Sequence, residues 1–166
     1  MVSRVGRISK DFPLPRPWHR EAGTLHSQAV PVTQYLFDTH HATALWRRHQ
    51  ALVNRVQMTP EAEFFLCVPC VGELWYRVHD SSRALEGGKS LGEFITRFPV
   101  LEFDLAAAVE FGRIKTALRR IGRPISEVDA QIASIARSRD MVVLTAEQHF
   151  SVVTGLRVER WLTVSP

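Results

Sequence analysis

Short apolar runs alternate with amphipathic stretches from Gln34 almost to the end of the chain, and this alternation limits the possible folds more than any other feature. The runs predict strands at about 34–37, 64–68, 99–102, 141–144 and 157–160. Those at 35–37, 64–68 and 141–144 are continuously apolar, as expected of parallel strands buried on both faces. The sequence therefore predicts an α/β fold in which helices cover both faces of a mostly parallel sheet of four to five strands.

The stretches between the strands have the apolar spacing of helices. They predict helices from 41 into the 50s and at about 70–79, 90–97, 104–121 and 126–139. Gly87-Gly88 are expected to break the chain before the third of these. Asp104 is a good N-cap for the fourth, and Gly122 is expected to end it.

The 166 residues suit one folded domain, which we place at 34–162 after an irregular, basic, proline-rich arm at 1–33. Residues 1–34 carry five basic and two acidic side chains, whereas the other 132 residues carry 16 basic and 15 acidic ones. The net charge of +4 therefore comes mainly from the arm. No apolar stretch reaches the roughly 20 residues of a membrane span, and no secretory signal is evident, so we expect no membrane contact and a cytoplasmic location.

Four acidic residues lie at predicted strand-to-helix corners. Asp38 and Glu73 follow the first and second strands, Asp129 opens the helix at 126–139, and Glu147 follows the strand at 141–144. The carboxyl ends of parallel strands line one crevice, so these carboxylates are expected to converge. Like charges that meet repel one another, and a divalent cation with oxygen ligands relieves that repulsion. The pattern predicts a Mg²⁺ or Mn²⁺ site.

Each acid also has a purely structural interpretation. Asp38 is placed to cap a helix, and Asp129 lies three residues after Ser126, an N-cap residue, in a pattern that resembles a capping box. Glu73 is placed to pair with Arg77 one turn later, and Glu147 to be a first-turn acid. The occurrence of all four at corresponding corners favours one shared site over four separate roles.

Two other patterns suggest different chemistry. Cys67-Val68-Pro69-Cys70 is a C-x-x-C motif at a strand-to-helix corner, which is compatible with a thioredoxin-like redox site but leaves the four acids unexplained. Five histidines suggest zinc, but their spacing matches no zinc motif and is more typical of surface residues: His19, His26, His40, His41 and His49.

Seven groups of residues follow the order and spacing of a known family. They are 35–39, 72–76, 98–104, 111–114 with 122–125, 129–133, 144–150 and 155–161. Over about 34–161 the chain resembles the PIN-domain ribonucleases, and most closely the VapC-like toxins of bacterial type II toxin–antitoxin pairs.

The resemblance implies a PIN-like three-layer sandwich and a metal-dependent endoribonuclease. Asp38, Glu73 and Asp129 match the family's acidic triad, and Glu147 matches its final acid, so all four are expected to be catalytic and to bind Mg²⁺ or Mn²⁺. The partners implied are an RNA substrate, a cognate antitoxin protein and a second copy of the chain in a homodimer.

The chain departs from the family pattern at several positions. His40 stands where the family usually has Asn or Ser, and Glu147 stands in place of Asp. Cys67 and Cys70 replace a polar pair expected to support the loop of Glu73. These changes leave open a catalytically impaired PIN fold that acts as an RNA- or protein-binding module.

Two sets of side chains have open roles. Arg113 and Arg119 either contact RNA phosphate or are surface charge. Four apolar residues of the first two predicted helices either meet a partner or belong to the core: Leu45, Trp46, Trp75 and Tyr76.

Overall fold

The computed structural model describes residues 32–162, which form six α-helices and five strands. The strands are Gln34–Phe37 (β1), Glu63–Cys67 (β2), Val100–Leu101 (β3), Val142–Leu144 (β4) and Arg157–Glu159 (β5). The helices are Thr39–Trp46 (α1), Gln50–Gln57 (α2), Val68–His79 (α3), Ala84–Ile95 (α4), Leu105–Arg120 (α5) and Glu127–Ser138 (α6). A 3₁₀ turn at Gln148–Val152 follows β4.

The strands form one parallel sheet in the order β3-β2-β1-β4-β5. β1 lies at its centre, and the side chains of Leu36 and Phe37 are completely buried there. The predicted α/β class with a parallel sheet of four to five strands is confirmed. β1 therefore has a hydrogen-bonded neighbour on each side, β2 and β4.

The predicted helix from 41 into the 50s is wrong in one respect, because the chain forms two helices there. Arg48 adopts a left-handed conformation with φ of 59°. The backbone N–H of Arg48 bonds to the carbonyl of Leu45, and that of His49 bonds to the carbonyl of Ala44, which is the bonding of a Schellman motif. This motif ends α1 and lets the chain change direction before α2 buries Leu52.

Gly87 and Gly88 lie inside α4, so the predicted break at these glycines is wrong. A Cβ on Gly87 would lie 3.4 Å from Val78, and one on Gly88 would lie 3.4 Å from Trp75, both on α3. The small residues therefore form the surface on which α4 approaches α3. Helical hydrogen bonding continues through the pair, as in the bond from the Gly87 N–H to the Arg83 carbonyl.

The four apolar residues with open roles separate into two groups. Leu45 is buried, and both tryptophans pack against the core, with the Nε1–H of Trp46 donating to Ser90 Oγ. Tyr76 alone of the four is largely exposed, at 70%.

Two predictions concern the ends of the chain and the membrane. Residues 1–31 of the predicted arm lie outside the described residues. Between 32 and 162, no helix is long and apolar enough to cross a membrane.

Candidate active site

Asp38 occupies the corner between β1 and α1 and is almost completely buried, at 2% exposure. It is the N-cap of α1, and its Oδ1 accepts hydrogen bonds from the backbone N–H of His41 at 2.6 Å and from His41 Nδ1 at 3.2 Å. Its own backbone N–H bonds to the carbonyl of Leu144 at the end of β4. The predicted capping role is confirmed, and it leaves Oδ2 without a hydrogen bond from the described residues.

Glu73 lies in the second turn of α3, one turn after Cys70, and is partly exposed. The structural alternative, a pair with Arg77, does not form, because Arg77 instead approaches Thr43 Oγ1 at 3.4 Å. Among the described residues, none donates a hydrogen bond to the Glu73 carboxylate or forms an ion pair with it. Its negative charge is therefore available to a ligand.

Asp38 and Glu73 both act on the thiol of Cys70. Burial, and then the neighbouring Cys67, raise the pKa of Cys70 well above its usual value, and the charges of the two carboxylates raise it further. Asp38 directly follows β1 and Glu73 lies on the helix that follows the neighbouring strand β2, so both are near the carboxyl edge of the sheet.

Asp129 and Glu147 lie on either side of His149. Asp129 Oδ2 is 3.0 Å from His149 Nε2 and accepts a hydrogen bond from Ser126 Oγ, while Glu147 Oε2 is 4.0 Å from His149 Nδ1. Ser126 also accepts the backbone N–H of Asp129, so the predicted capping of α6 is confirmed. Because His149 follows β4, these contacts bring Asp129 to the carboxyl edge of the sheet.

The four predicted acids thus lie at one edge of the sheet but in two pairs. Asp38 and Glu73 flank Cys70, whereas Asp129 and Glu147 flank His149. In the part of the chain that the structure describes, no three histidine, cysteine, aspartate or glutamate side chains form a cluster that would hold a metal ion. The donor chemistry nevertheless fits Mg²⁺ or Mn²⁺, because all four ligands offer hard carboxylate oxygens.

Two histidines of the site were missed by the sequence interpretation. His41 is 0% exposed, so the interpretation of this histidine as a surface residue is wrong, and it is the neighbouring His40 that is exposed. A usable signal was present, because His41 lies one turn after Asp38 and one turn before the buried Leu45. His149 carried a weaker signal, since it directly precedes the buried Phe150, on which its ring stacks.

The cysteine motif does not have the properties of a redox site. Cys67 and Cys70 are free and buried, and burial raises the pKa of Cys67 to about 12. Redox-active cysteines have a lowered pKa, because the thiolate is the reacting species. The structure therefore argues against the thioredoxin-like interpretation.

A family model described as the PIN domain matches residues 35–156, which include all four acids. The chain belongs to the PIN-domain family. Within that family its relatives are VapC proteins, so the recognised resemblance is confirmed.

Two curated relatives show how much of this PIN domain is shared. The chain is 31% identical over 135 residues to the ribonuclease VapC2 of Haemophilus influenzae, which covers 79% of this chain and all of that protein. It is 36% identical over 99 residues to the tRNA(fMet)-specific endonuclease VapC of Shigella flexneri, which covers 58% of this chain and 75% of that one.

Solved structures with the same fold include two VapBC complexes. The DNA-bound VapBC of Salmonella typhimurium matches with a TM-score of 0.73 and 26% identity, covering 78% of this chain and 99% of that chain. VapBC2 of Rickettsia felis, bound to a DNA fragment from the promoter, matches with a TM-score of 0.74 and 21% identity over the same shares of both chains. The PIN fold of this chain is therefore established independently of its sequence motifs.

Proposed function

We propose that this PIN domain is a metal-dependent endoribonuclease that acts as the toxin of a toxin–antitoxin pair. The observation that carries the proposal is the buried carboxylate of Asp38, fixed through Oδ1 at the centre of the carboxyl edge while Oδ2 accepts no hydrogen bond from the described residues. The names of the curated relatives, ribonuclease and endonuclease, support the same activity.

The cation is Mg²⁺ or Mn²⁺ in this proposal, held by Asp38, Glu73 and Asp129 with Glu147 as the outer ligand. When bound, such an ion neutralises charge on the scissile phosphate and lowers the pKa of a water that attacks it. Mg²⁺ keeps several waters and takes few protein carboxylates, which would leave coordination positions for a substrate phosphate.

The residues of the chain prepare this site in different ways. Asp38 is held by two donors from α1 and by the β4 carbonyl of Leu144, which fixes its position before any ligand arrives. Asp129 is oriented by the hydroxyl of Ser126. Glu147 is about half exposed, so it has the most freedom to move toward a ligand.

The proposed partners follow from the same family. Solved relatives are complexes of a toxin with its antitoxin, so we infer a cognate antitoxin for this chain, together with RNA as substrate, a homodimer and a cytoplasmic location. Tyr76, exposed on α3, is a candidate contact for one of these protein partners.

A second candidate function is a catalytically impaired PIN domain that binds RNA or protein without cutting. It is favoured by one observation, the position of His149 between Asp129 and Glu147, where its ring separates a carboxylate of the proposed core set from the outer one. If this arrangement persists with metal present, Asp129 and Glu147 do not hold the same ion.

The deciding experiment is RNA cleavage by the purified chain, free of antitoxin, with Mg²⁺ or Mn²⁺ and with an EDTA control. We expect Asp38→Asn to lower the cleavage rate at least about 100-fold, because one carboxylate ligand is lost. Asp104→Asn is the matched control: Asp104 caps α5 in the same way, accepting the Ala107 N–H at 2.9 Å, but its other carboxylate oxygen pairs with Arg139.

The outcomes separate the two functions. Cleavage that needs metal and Asp38, and that survives Asp104→Asn, supports the endoribonuclease. Absence of cleavage by the folded wild-type chain with either metal contradicts it and favours the binding module.

A further inference from the structure

His41 is a completely buried histidine in the first turn of α1, directly against the central acid of the site. Its backbone N–H and its ring Nδ1 both approach the same oxygen of Asp38, at 2.6 Å and 3.2 Å. One residue thus supplies two contacts to a single carboxylate oxygen. The backbone contact is ordinary helix capping, but the ring contact is not required by a cap.

The ring contact determines which nitrogen of His41 carries hydrogen. An ionised carboxylate only accepts hydrogen bonds, so Nδ1 must be the donor. The other ring nitrogen, Nε2, is buried and has no hydrogen-bond partner among the described residues. A buried polar atom without a partner is unfavourable, and an apolar side chain such as leucine would fill the same space without that cost.

Packing therefore does not explain the imidazole, whereas its contact with Asp38 does. We propose that His41 is a positioning residue that holds Oδ1 of Asp38 and thereby directs Oδ2 toward the cation. This inference rests on the proposed function, because it concerns the same metal site. The neighbouring His40, which stands where the family usually has Asn or Ser, is exposed.

The test measures binding of Mn²⁺ alone to the full chain without RNA, from the electron paramagnetic resonance signal of the free ion. Three variants change the donor in different ways. His41→Asn keeps an N–H near the position of Nδ1, His41→Gln moves the N–H farther along the side chain, and His41→Leu removes it.

We expect His41→Asn to bind Mn²⁺ within about threefold of the wild type, since the donor remains. His41→Gln and His41→Leu are expected to bind about 10- to 100-fold more weakly, the usual effect of removing a partner that orients a ligand. Unfolding midpoints measured without metal are expected to be similar for the two amide variants. If His41→Leu does not fold, the difference in Mn²⁺ affinity between His41→Asn and His41→Gln tests the positioning role by itself.

Controls separate this inference from the function on which it rests. His79→Leu removes an imidazole from the last turn of α3 and is expected to leave Mn²⁺ affinity unchanged. If the wild type binds no Mn²⁺, or binds it without Asp38, the proposed metal site is overturned, and the inference with it. If the wild type binds through Asp38 but His41→Gln and His41→Leu retain its affinity, or lose affinity only in step with their unfolding midpoints, the positioning role alone is overturned.

Discussion

The thiols of Cys67 and Cys70 lie beneath the site, one at the end of β2 and one in the first turn of α3. Both replace polar residues of the family pattern, and burial raises the pKa of both. They are therefore neutral, apolar packing groups at ordinary pH. The Cys67 thiol also meets the backbone of Cys70, so the start of α3, the helix that carries Glu73, is supported by this packing and by that contact.

The raised pKa of Cys67 predicts a loss of stability in alkaline solution. Burial keeps this thiol protonated in the folded chain up to a pKa of about 12, whereas its ordinary value is 9.0. Between these values the unfolded state releases a proton that the folded state keeps, so the free energy of unfolding falls as the pH rises. Below pH 9 the thiol is protonated in both states and the contribution is constant.

We expect the contribution of Cys67 to fall by about 1.4 kcal/mol per pH unit across that range. Urea unfolding at pH 8, 9 and 10 checks this, with Cys67→Ala as the comparison. The variant should be less stable at pH 8, because a buried group is lost, but its stability should decline less steeply with pH. Equal slopes for the two proteins would show that the thiol ionises normally in the folded chain.

The sequence could locate the four acids but not the two histidines that contact them. Asp38 and Glu147 follow recognisable apolar strands, so their positions depend only on the order of residues. The burial of His41 depends on which face of α1 meets α3, and the contact of His149 with Asp129 joins segments 20 residues apart. Such contacts arise from tertiary packing, which a single sequence does not display.

At the scale of the elements, the turn between α5 and α6 determines where Asp129 is presented. Gly122 has φ of 67°, a left-handed conformation, and its N–H bonds to the carbonyl of Arg119 as α5 ends. Side chains with a Cβ are strained in this conformation. The glycine therefore lets the chain turn sharply from one helix into the next.

Gly122→Ala is predicted to lower the free energy of unfolding by about 1–2 kcal/mol. The matched control is Gly112→Ala, in the interior of α5, where a Cβ would meet no atom within 4 Å. That change should raise stability by about 0.5–1 kcal/mol, because alanine favours a helix over glycine. Urea unfolding of both variants measures the change in the free energy of unfolding for each. A Gly122→Ala variant that is more stable than the wild type would contradict the strained turn.

Local signals explain which elements were predicted well. Strands and capped helices such as α5 and α6 carry their signals locally, in apolar runs and in Asp104 and Ser126. The end of α1 at Arg48 has no such local signal, because it depends on an arginine in a left-handed conformation. The continuity of α4 through Gly87 has none either, because it depends on the contact of α4 with α3. Local residue propensities therefore failed to predict the end of α1 and the continuity of α4, because tertiary packing determines both.

At the scale of the whole molecule, we propose that residues 34–162 fold without the arm. The Thr33 carbonyl accepts the N–H of Glu63 at the start of β2. A chain that begins at residue 32 keeps this bond. It also loses five basic and two acidic side chains, so its net charge falls from +4 to +1.

Deleting residues 1–31 is predicted to leave the circular dichroism spectrum of the domain unchanged and to weaken binding of single-stranded RNA. The plot of log affinity against log salt should become flatter by roughly 0.7 for each phosphate that the arm no longer neutralises. A full-length variant with the five arm cations changed to Gln is the control for charge. If the truncated and full-length chains have the same slope, the arm does not bind RNA.

The bond from the Asp38 amide to the Leu144 carbonyl has a consequence for how the site fails. This amide lies between the two central strands, where exchange of its hydrogen with solvent requires opening of the sheet itself. The segment before Glu147 is tied instead to the sheet edge, where the N–H of Thr145 bonds to the carbonyl of Glu159 in β5. Fraying of the edge strand β5 would therefore release Glu147 while Asp38 is still in place. The site would lose its outer carboxylate before its central one.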